Sequence, residues 1–248
     1  MDAQAARAWI ARWDHQQERY IADREARFSV VGDVVAHVTA NNPEPQVLDL
    51  GCGPGSMSVR LAGHLPKARI TGLDQDPVLL SLARDGYGDL INVVDVDLAV
   101  PDWSAGLELD GPLDAAVSST ALHWIRPELL GAVYKEVARL LRPGGVLVNA
   151  DNLYDDQPAL AEIAIAVLDG RARRVGVTDN EDWSHWWEAI AGEPAMAEAF
   201  AERERRGARG GITEFSVEHH SELLRQAGFS EVGTVWQCGN DVVLVGVR

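Results

Sequence analysis

Acids and glycines recur through the first half of the chain at spacings that suit ligand binding better than packing. In "VLDLGCGPGS", Val47 to Ser56, an apolar run carries Asp49 and is followed by glycines at every second position, Gly51, Gly53 and Gly55. A turn with so little side chain lets a ligand approach backbone N–H groups closely. A second acid, Asp74, closes the next apolar run, "ITGLD". A carboxylate placed there can accept both hydroxyl protons of a ribose. A third comes from "VVDVDL", where Asp95 and Asp97 compete for a place beside an adenine amino group. Acids at three successive strand ends describe an adenosine site without a pyrophosphate. The loop spacing agrees: D-x-G-x-G-x-G, from Asp49 to Gly55, is not the G-x-G-x-x-G of a dinucleotide loop, which holds phosphates on a helix dipole. An acid beside the loop repels a pyrophosphate and favours an ammonium, which suits a cofactor with a cationic amino-acid tail and a sulfonium.

These residues need strand tips to carry them, and the pattern supplies strands. Residues 1–40 read as helical, with Trp9 and Trp13 on one face and a second apolar stripe from Phe28 to Val38; "NNPEP" then breaks the helix. "QVLDLG", "RITGLD", "INVVDVD", "LDAAVSST" and "VLVNAD" read as five strands, separated by helices such as "SMSVRLAGHL", "PVLLSLARDG" and the amphipathic "PELLGAVYKEVARLL", which "RPGG" stops. Such alternation predicts a parallel sheet with helices on both faces. No strand stands out from Asn152 to Phe215; two or three helices are expected there, including "DWSHWWEAI" and "PAMAEAFAERERR". A helix ending at Gly228 and two strands joined through Gly239 and Asn240, a hairpin spacing, complete the chain. The expected division is an N-terminal helical segment (1–44), a core (45–151 and 216–248) and a helical cap over the substrate site (152–215).

With these segments in place, the chain resembles the class I S-adenosylmethionine-dependent methyltransferases. "VLDLGCGPG" is similar to their first motif, "GLDQDPVLLSLAR" to the ribose segment, "VVDVDL" to the adenine segment, and "LDAAVSSTALHW" with "LLRPGGVLV" to the fourth strand, its loop and the lead into the fifth. The resemblance is strong over about 45–151 and moderate over the final helix and hairpin. It implies a Rossmann-like α/β sheet of seven strands, mostly parallel with an antiparallel last strand. It also implies S-adenosyl-L-methionine as cofactor. Gly51 and Gly53 would lie against the methionine part, Asp74 on the ribose and Asp97 beside the adenine; Leu98 and "VPDW" match the family's usual sequel and favour Asp97 over Asp95. Asp49, Cys52, Gln75 and Ser119 complete the cofactor set expected from those segments, Cys52 as a small residue in a tight loop. Small-molecule relatives carry a preceding helix with a tyrosine near the methionine carboxylate. Tyr20, with Gln17 on the same helix face, is the candidate here; Arg27 is the alternative, and an ordinary packing helix the third reading.

Methyl transfer from a sulfonium is an in-line displacement in which the cofactor carries the reactivity. Alignment alone is worth ~7–11 kcal/mol of barrier. A thiolate or free amine needs no strong base, whereas a hydroxyl or carbon nucleophile does. His123, in "SSTALHW", is the candidate base and, with Trp124, a candidate substrate contact; the alternative is that both pack the start of the next helix. The loop lacks the N/D-P-P-Y type motif of relatives that methylate amide or base nitrogens. In the cap, Trp183, Trp186 and Trp187 share a short stretch with His185 and are candidates to stack on a flat substrate, or else join cap to core. Arg171, Arg173 and Arg174 are candidate carboxylate ligands or a solvated face.

Composition narrows the partners. The net charge of −16 over 248 residues opposes a phosphate backbone, and the seven arginines from Arg171 to Arg209 are interleaved with acids. No apolar run approaches the ~20 residues of a membrane helix, and the charged N-terminus lacks a secretory core, so a cytoplasmic location is expected. Cys52 and Cys238 make no metal or disulfide pattern. The sequence therefore points to a small-molecule methyltransferase. A protein or RNA methyltransferase and a non-catalytic methyltransferase-like binding module are the alternatives. Acceptor atom and oligomeric state stay open.

Overall fold

Apolar runs of four to seven residues alternate with amphipathic stretches, and in the computed structural model, which describes residues 1–207, 211 and 213–248, they form a layered α/β fold. Two helices, α1 (Ala3–Glu18) and α2 (Arg24–Thr39), lead into β1 (Gln46–Leu50), α3 (Ser56–His64), β2 (Arg69–Asp74), α4 (Pro77–Tyr87), β3 (Asn92–Asp95), β4 (Leu113–Ser119), α5 (Pro127–Leu140) and β5 (Leu141–Asn152). The insertion supplies α6 (Pro158–Val175), α7 (Trp183–Ala191) and α8 (Ala197–Arg206), after which come α9 (Val217–Ala227), β6 (Glu231–Cys238) and β7 (Asp241–Val247). Arg209 lies outside the described residues. Local chemistry sets several boundaries. Asp76 caps α4 by accepting the N–H groups of Val78 and Leu79, with Pro77 in the first turn, and Ser216 caps α9 through His219. Gly228 ends α9 in a left-handed conformation, φ 103°.

The seven strands lie in the order β3-β2-β1-β4-β5-β7-β6. β1 to β5 pair in parallel, and β7 runs antiparallel to both β5 and β6. The order reverses between β1 and β4, and ligands of open α/β sheets bind outside the carboxyl ends of the strands at such a point. One face of the sheet packs against α5 and α9 through Leu130, Val133, Tyr134, Val137 and Leu224. The other packs against α2 and α3 through Phe28, Val31, Val35, Met57 and Leu61. Each fully buried leucine or valine contributes about 1.5–3 kcal/mol, so the strand tips stand on a rigid base.

Two boundaries differ from expectation. β3 ends at Asp95, so Asp97 sits two residues beyond the strand; and α5 passes directly into β5, so Arg142–Gly145 belong to the strand and not to a separate stop. The insertion is also less of a detached cap than the sequence suggested. Trp186, Trp187 and Ile190 of α7 share a core with Ala6 and Ile10 of α1 and Val78, Leu79 and Leu82 of α4. Among the described residues no helix is long and apolar enough to cross a membrane.

Candidate cofactor and active site

The glycines after β1 hold a conformation that side chains resist. Gly51, Gly53 and Gly55 have φ of 73°, 56° and 88°, in the left-handed region that glycine adopts without steric cost. A Cβ at Gly51 would overlap that of Ala121, in the loop after β4. The N–H groups of Gly51 and Cys52 both donate to the Leu73 carbonyl, at 2.7 and 2.9 Å, which ties the loop to the tip of β2. The N–H of Gly53 donates to Asp74 Oδ2 at 2.8 Å, and those of Gln75 and Asp76 donate to Asp74 Oδ1 at 2.7 and 2.8 Å. The Asp74 carboxylate is thus oriented by three backbone donors at the sheet's carboxyl edge.

Asp49 lies just below, 1% exposed, and accepts the Ser58 hydroxyl at 2.6 Å. Burial pushes its carboxyl up to about 7; the Asp74 charge adds to this, and the Ser58 hydrogen bond opposes it. Burial also raises the Cys52 thiol well above its ordinary value, so this cysteine is a small packing residue and not a nucleophile.

The two acids after β3 separate cleanly. Asp95 forms a bidentate ion pair with Arg206, at 2.9 and 2.7 Å. Asp97 accepts the Ala99 N–H at 2.8 Å and lines the crevice described below. Leu98, between Asp97 and Ala99, is 8% exposed and turns its side chain into the core. Beyond β4, Thr120 has φ 49°, which is unusual for a β-branched residue and the kind of strain found at ligand sites. Its neighbours Ser119 and Ala121 line the crevice with it.

These tips form the floor of a crevice of about 1160 Å³. The N-terminal helices give one side, through Trp13, Gln17, Arg24 and Phe28; the insertion gives the other, through Trp183, Trp187, Phe200 and Arg203. Trp124 and Arg126 stand at the β4 end. Asp49, Gly51, Cys52, Gly53, Asp74, Gln75, Asp97, Ser119 and Gln17, all anticipated from sequence, are among its walls, as are Trp124, Trp183 and Trp187.

Other anticipated residues lie elsewhere. The Tyr20 hydroxyl accepts the Trp183 N–H at 3.0 Å and is not a wall of the crevice. Arg27 is fully buried and donates to Asp241 at 2.7 Å and Ser119 at 3.0 Å. Trp186 is fully buried, edge-on to Trp13 at 4.8 Å and Trp187 at 5.1 Å, and joins α7 to the domain. His123 turns to β5, where its Nδ1 lies 2.8 and 3.0 Å from the carboxylate oxygens of Asp151; it is not among the crevice walls. A fully buried carboxylate needs a donor, and His123 supplies it. Arg171 pairs with Asp23 at 2.6 Å, away from the crevice.

Arg24 was not singled out from sequence, yet it lines the crevice, 6% exposed, paired with Asp14 at 2.7 Å and stacked over Phe28 at 4.5 Å. It is one helical turn before Arg27, so helical spacing alone could have brought it forward. Trp13, Phe28, Phe200 and Arg203 were likewise unassigned. Among the described residues no group of three or more His, Cys, Asp or Glu is arranged to hold a metal ion.

Known proteins share this arrangement. The pattern of the methyltransferase domain matches residues 47–145. A trans-aconitate 2-methyltransferase of Azoarcus sp. is 30% identical over 58% of this chain and 53% of its own length. A carboxy-S-adenosyl-L-methionine synthase of Chromohalobacter salexigens is 26% identical over 92% of this chain and 72% of its own. The chain spans about half the length of the trans-aconitate methyltransferases it matches. Of the solved structures, DesVI of Streptomyces venezuelae superposes with a TM-score of 0.57 at 17% identity, over 91% of this chain and 92% of that one, a likeness of fold. The matched segment begins at β1 and ends inside β5, the stretch that builds the glycine turn and every acid-bearing tip, and on that ground the chain belongs to the class I S-adenosylmethionine-dependent methyltransferases, with S-adenosyl-L-methionine as its cofactor.

Proposed function

We propose that this chain transfers a methyl group from S-adenosylmethionine to a small-molecule acceptor with a flat, apolar body, and that both bind in the crevice at the β1/β4 switch point. The observation that carries the proposal is the meeting, in one crevice, of oriented strand-tip carboxylates with a tryptophan-rich wall from the insertion. The residues present suit the cofactor. No Cβ fits at Gly51, so the turn leaves room for a ligand against its backbone. Asp74 would accept the ribose hydroxyls and Asp97 the adenine amino group. Asp49 would face the ammonium, and Arg24 with Gln17 the carboxylate, in place of Tyr20 or Arg27. When bound, the sulfonium supplies an electrophilic methyl group.

The chain's own contribution is then alignment and exclusion of water. Trp124, Trp183 and Trp187 would hold the acceptor's flat face, and Trp13, Phe28 and Phe200 keep the surroundings apolar. Low dielectric strengthens the interaction of Asp49 and Asp74 with a cationic ligand. His123 is tied to Asp151 outside the crevice, so no base is required of it. Acceptors that ionise or carry a free amine or thiolate fit this site best. The name of the trans-aconitate relatives adds carboxylates to the acceptor classes worth assaying, with Arg126 as the nearest cation at the β4 end.

A metabolite extract incubated with the protein and an isotopically labelled methyl donor tests the proposal. A labelled product of low mass is expected, and fragmentation identifies the acceptor atom. Label that enters only protein or RNA would overturn the small-molecule reading.

A further inference from the structure

α8 forms one wall of the crevice with little packing of its own. None of its residues is fully buried, and its firm apolar anchor is Met196, fully buried just before it. Polar ties replace packing. Arg203 Nε donates to Asp76 Oδ2 at 2.8 Å, and its guanidinium lies 4.1 Å from the Trp187 ring. Arg206 donates to both Asp95 oxygens and, at 2.8 Å, to the Gln75 carbonyl. Arg203 and Arg206 are three residues apart, so they leave the same helix face. Phe200, a turn earlier on that face, meets Trp187 edge-on at 6.1 Å.

The partners of these arginines are the strand-tip acids themselves. Asp95 is the last residue of β3, and Gln75 and Asp76 follow Asp74 directly. The Asp76 N–H donates to the Asp74 carboxylate, so a pull on Asp76 is felt by the group that would meet the ribose. We infer that Arg203 and Arg206 are positioning residues for the cofactor: by pairing with Asp76 and Asp95 they clasp α8 over the adenosyl end of the crevice and fix the loop that bears Asp74. This rests on the crevice being the cofactor site. Cofactor exchange then requires the clasp to open. The Arg206–Asp95 pair is about a third exposed on both sides, so salt weakens it.

The test is stopped-flow and calorimetric binding of S-adenosylhomocysteine at low and high salt, with hydrogen exchange over 197–206. Wild type is expected to release the ligand faster as salt rises, and ligand is expected to slow exchange in α8. Arg206→Gln should raise the dissociation rate about three- to tenfold, a ratio suited to an exposed but bidentate pair, and lose most of the salt dependence. The charge reversal Asp95→Arg with Arg206→Asp should restore slow release, a rescue that a merely structural contribution to folding would not give, and Asp95→Asn should copy Arg206→Gln. An unchanged dissociation rate and unprotected α8 in Arg206→Gln, with binding abolished by Asp74→Ala, would overturn the clasp alone. Wild-type affinity in Asp74→Ala would overturn the crevice as the cofactor site and the clasp with it.

Discussion

Replacing Asp49 with asparagine probes the one carboxyl whose charge state the fold and the ligand set against each other. Burial lifts this group from 3.8 to about 7, about 4 kcal/mol against ionisation. A unit positive charge about 4 Å away, at an effective dielectric near 20, returns about 4 kcal/mol. The two balance, so binding of an ammonium is coupled to loss of the Asp49 proton. At pH 6 about 0.9 of a proton should leave on binding, at pH 7 about half and at pH 8 about a tenth, and apparent affinity should fall about tenfold per unit below pH 7. Titration calorimetry with S-adenosylhomocysteine in buffers of different ionisation enthalpy measures this directly. Asp49→Asn should bind more weakly at pH 8, release no proton and show a flat profile from pH 6 to 8. The same shift acts on the free protein. An acid whose folded pKa lies above its unfolded one takes up a proton on folding, so this group costs stability as pH rises from about 4 to about 7 and no more above that. Asp49→Asn should therefore gain stability relative to wild type across that window. Proton release that persists in Asp49→Asn, or is missing from wild type at pH 6, would refute the reasoning.

Three further outcomes are expected. His220, whose Nδ1 accepts the Tyr134 hydroxyl at 2.6 Å, is pulled by burial down to about 4; it is neutral in the fold, so stability should drop by about 3 kcal/mol as pH falls from 6.5 to 4. His220→Gln, which keeps an acceptor for Tyr134, should flatten urea-measured stability in that window, and an unchanged slope would contradict the assignment. Gly51→Ala sets a methyl against Ala121 at a positive φ, and should lower S-adenosylhomocysteine affinity by at least about a hundredfold while losing about 1–3 kcal/mol of stability; near-normal affinity would show that the turn does not meet the ligand. Trp183→Ala should leave S-adenosylhomocysteine affinity intact and raise the acceptor KM, whereas Trp186→Ala, fully buried, should cost about 3–5 kcal/mol of stability; reversed effects in thermal melts and kinetics would exchange their assignments.

The sheet and its ligand edge were legible because local signals carry them. Apolar runs mark β1, β2 and β4, glycines at alternate positions can only be a turn, and acids beyond the runs must fall at strand tips. What sequence left open depends on contacts between distant residues. Asp95 and Asp97 are equivalent until Arg206, more than a hundred positions away, claims the first. Trp183 and Trp187 share a helix face that Trp186 does not, but only α1 decides that Trp186 is the buried one. His123 looked like a base in a flexible loop; the buried Asp151 on β5 holds its Nδ1 instead. Tyr20, Arg24 and Arg27 were alternative carboxylate ligands by helix position alone, and the pairing of Arg27 with Asp241 on β7 leaves Arg24 at the crevice.

A crystal structure with S-adenosylhomocysteine tests the adenosyl crevice most directly. The ribose hydroxyls should sit on the Asp74 carboxylate, the adenine beside Asp97, and the amino-acid end between Asp49 and Arg24. Ligand bound away from these strand tips, or no ligand in the crevice at saturating concentration, would contradict the assignment.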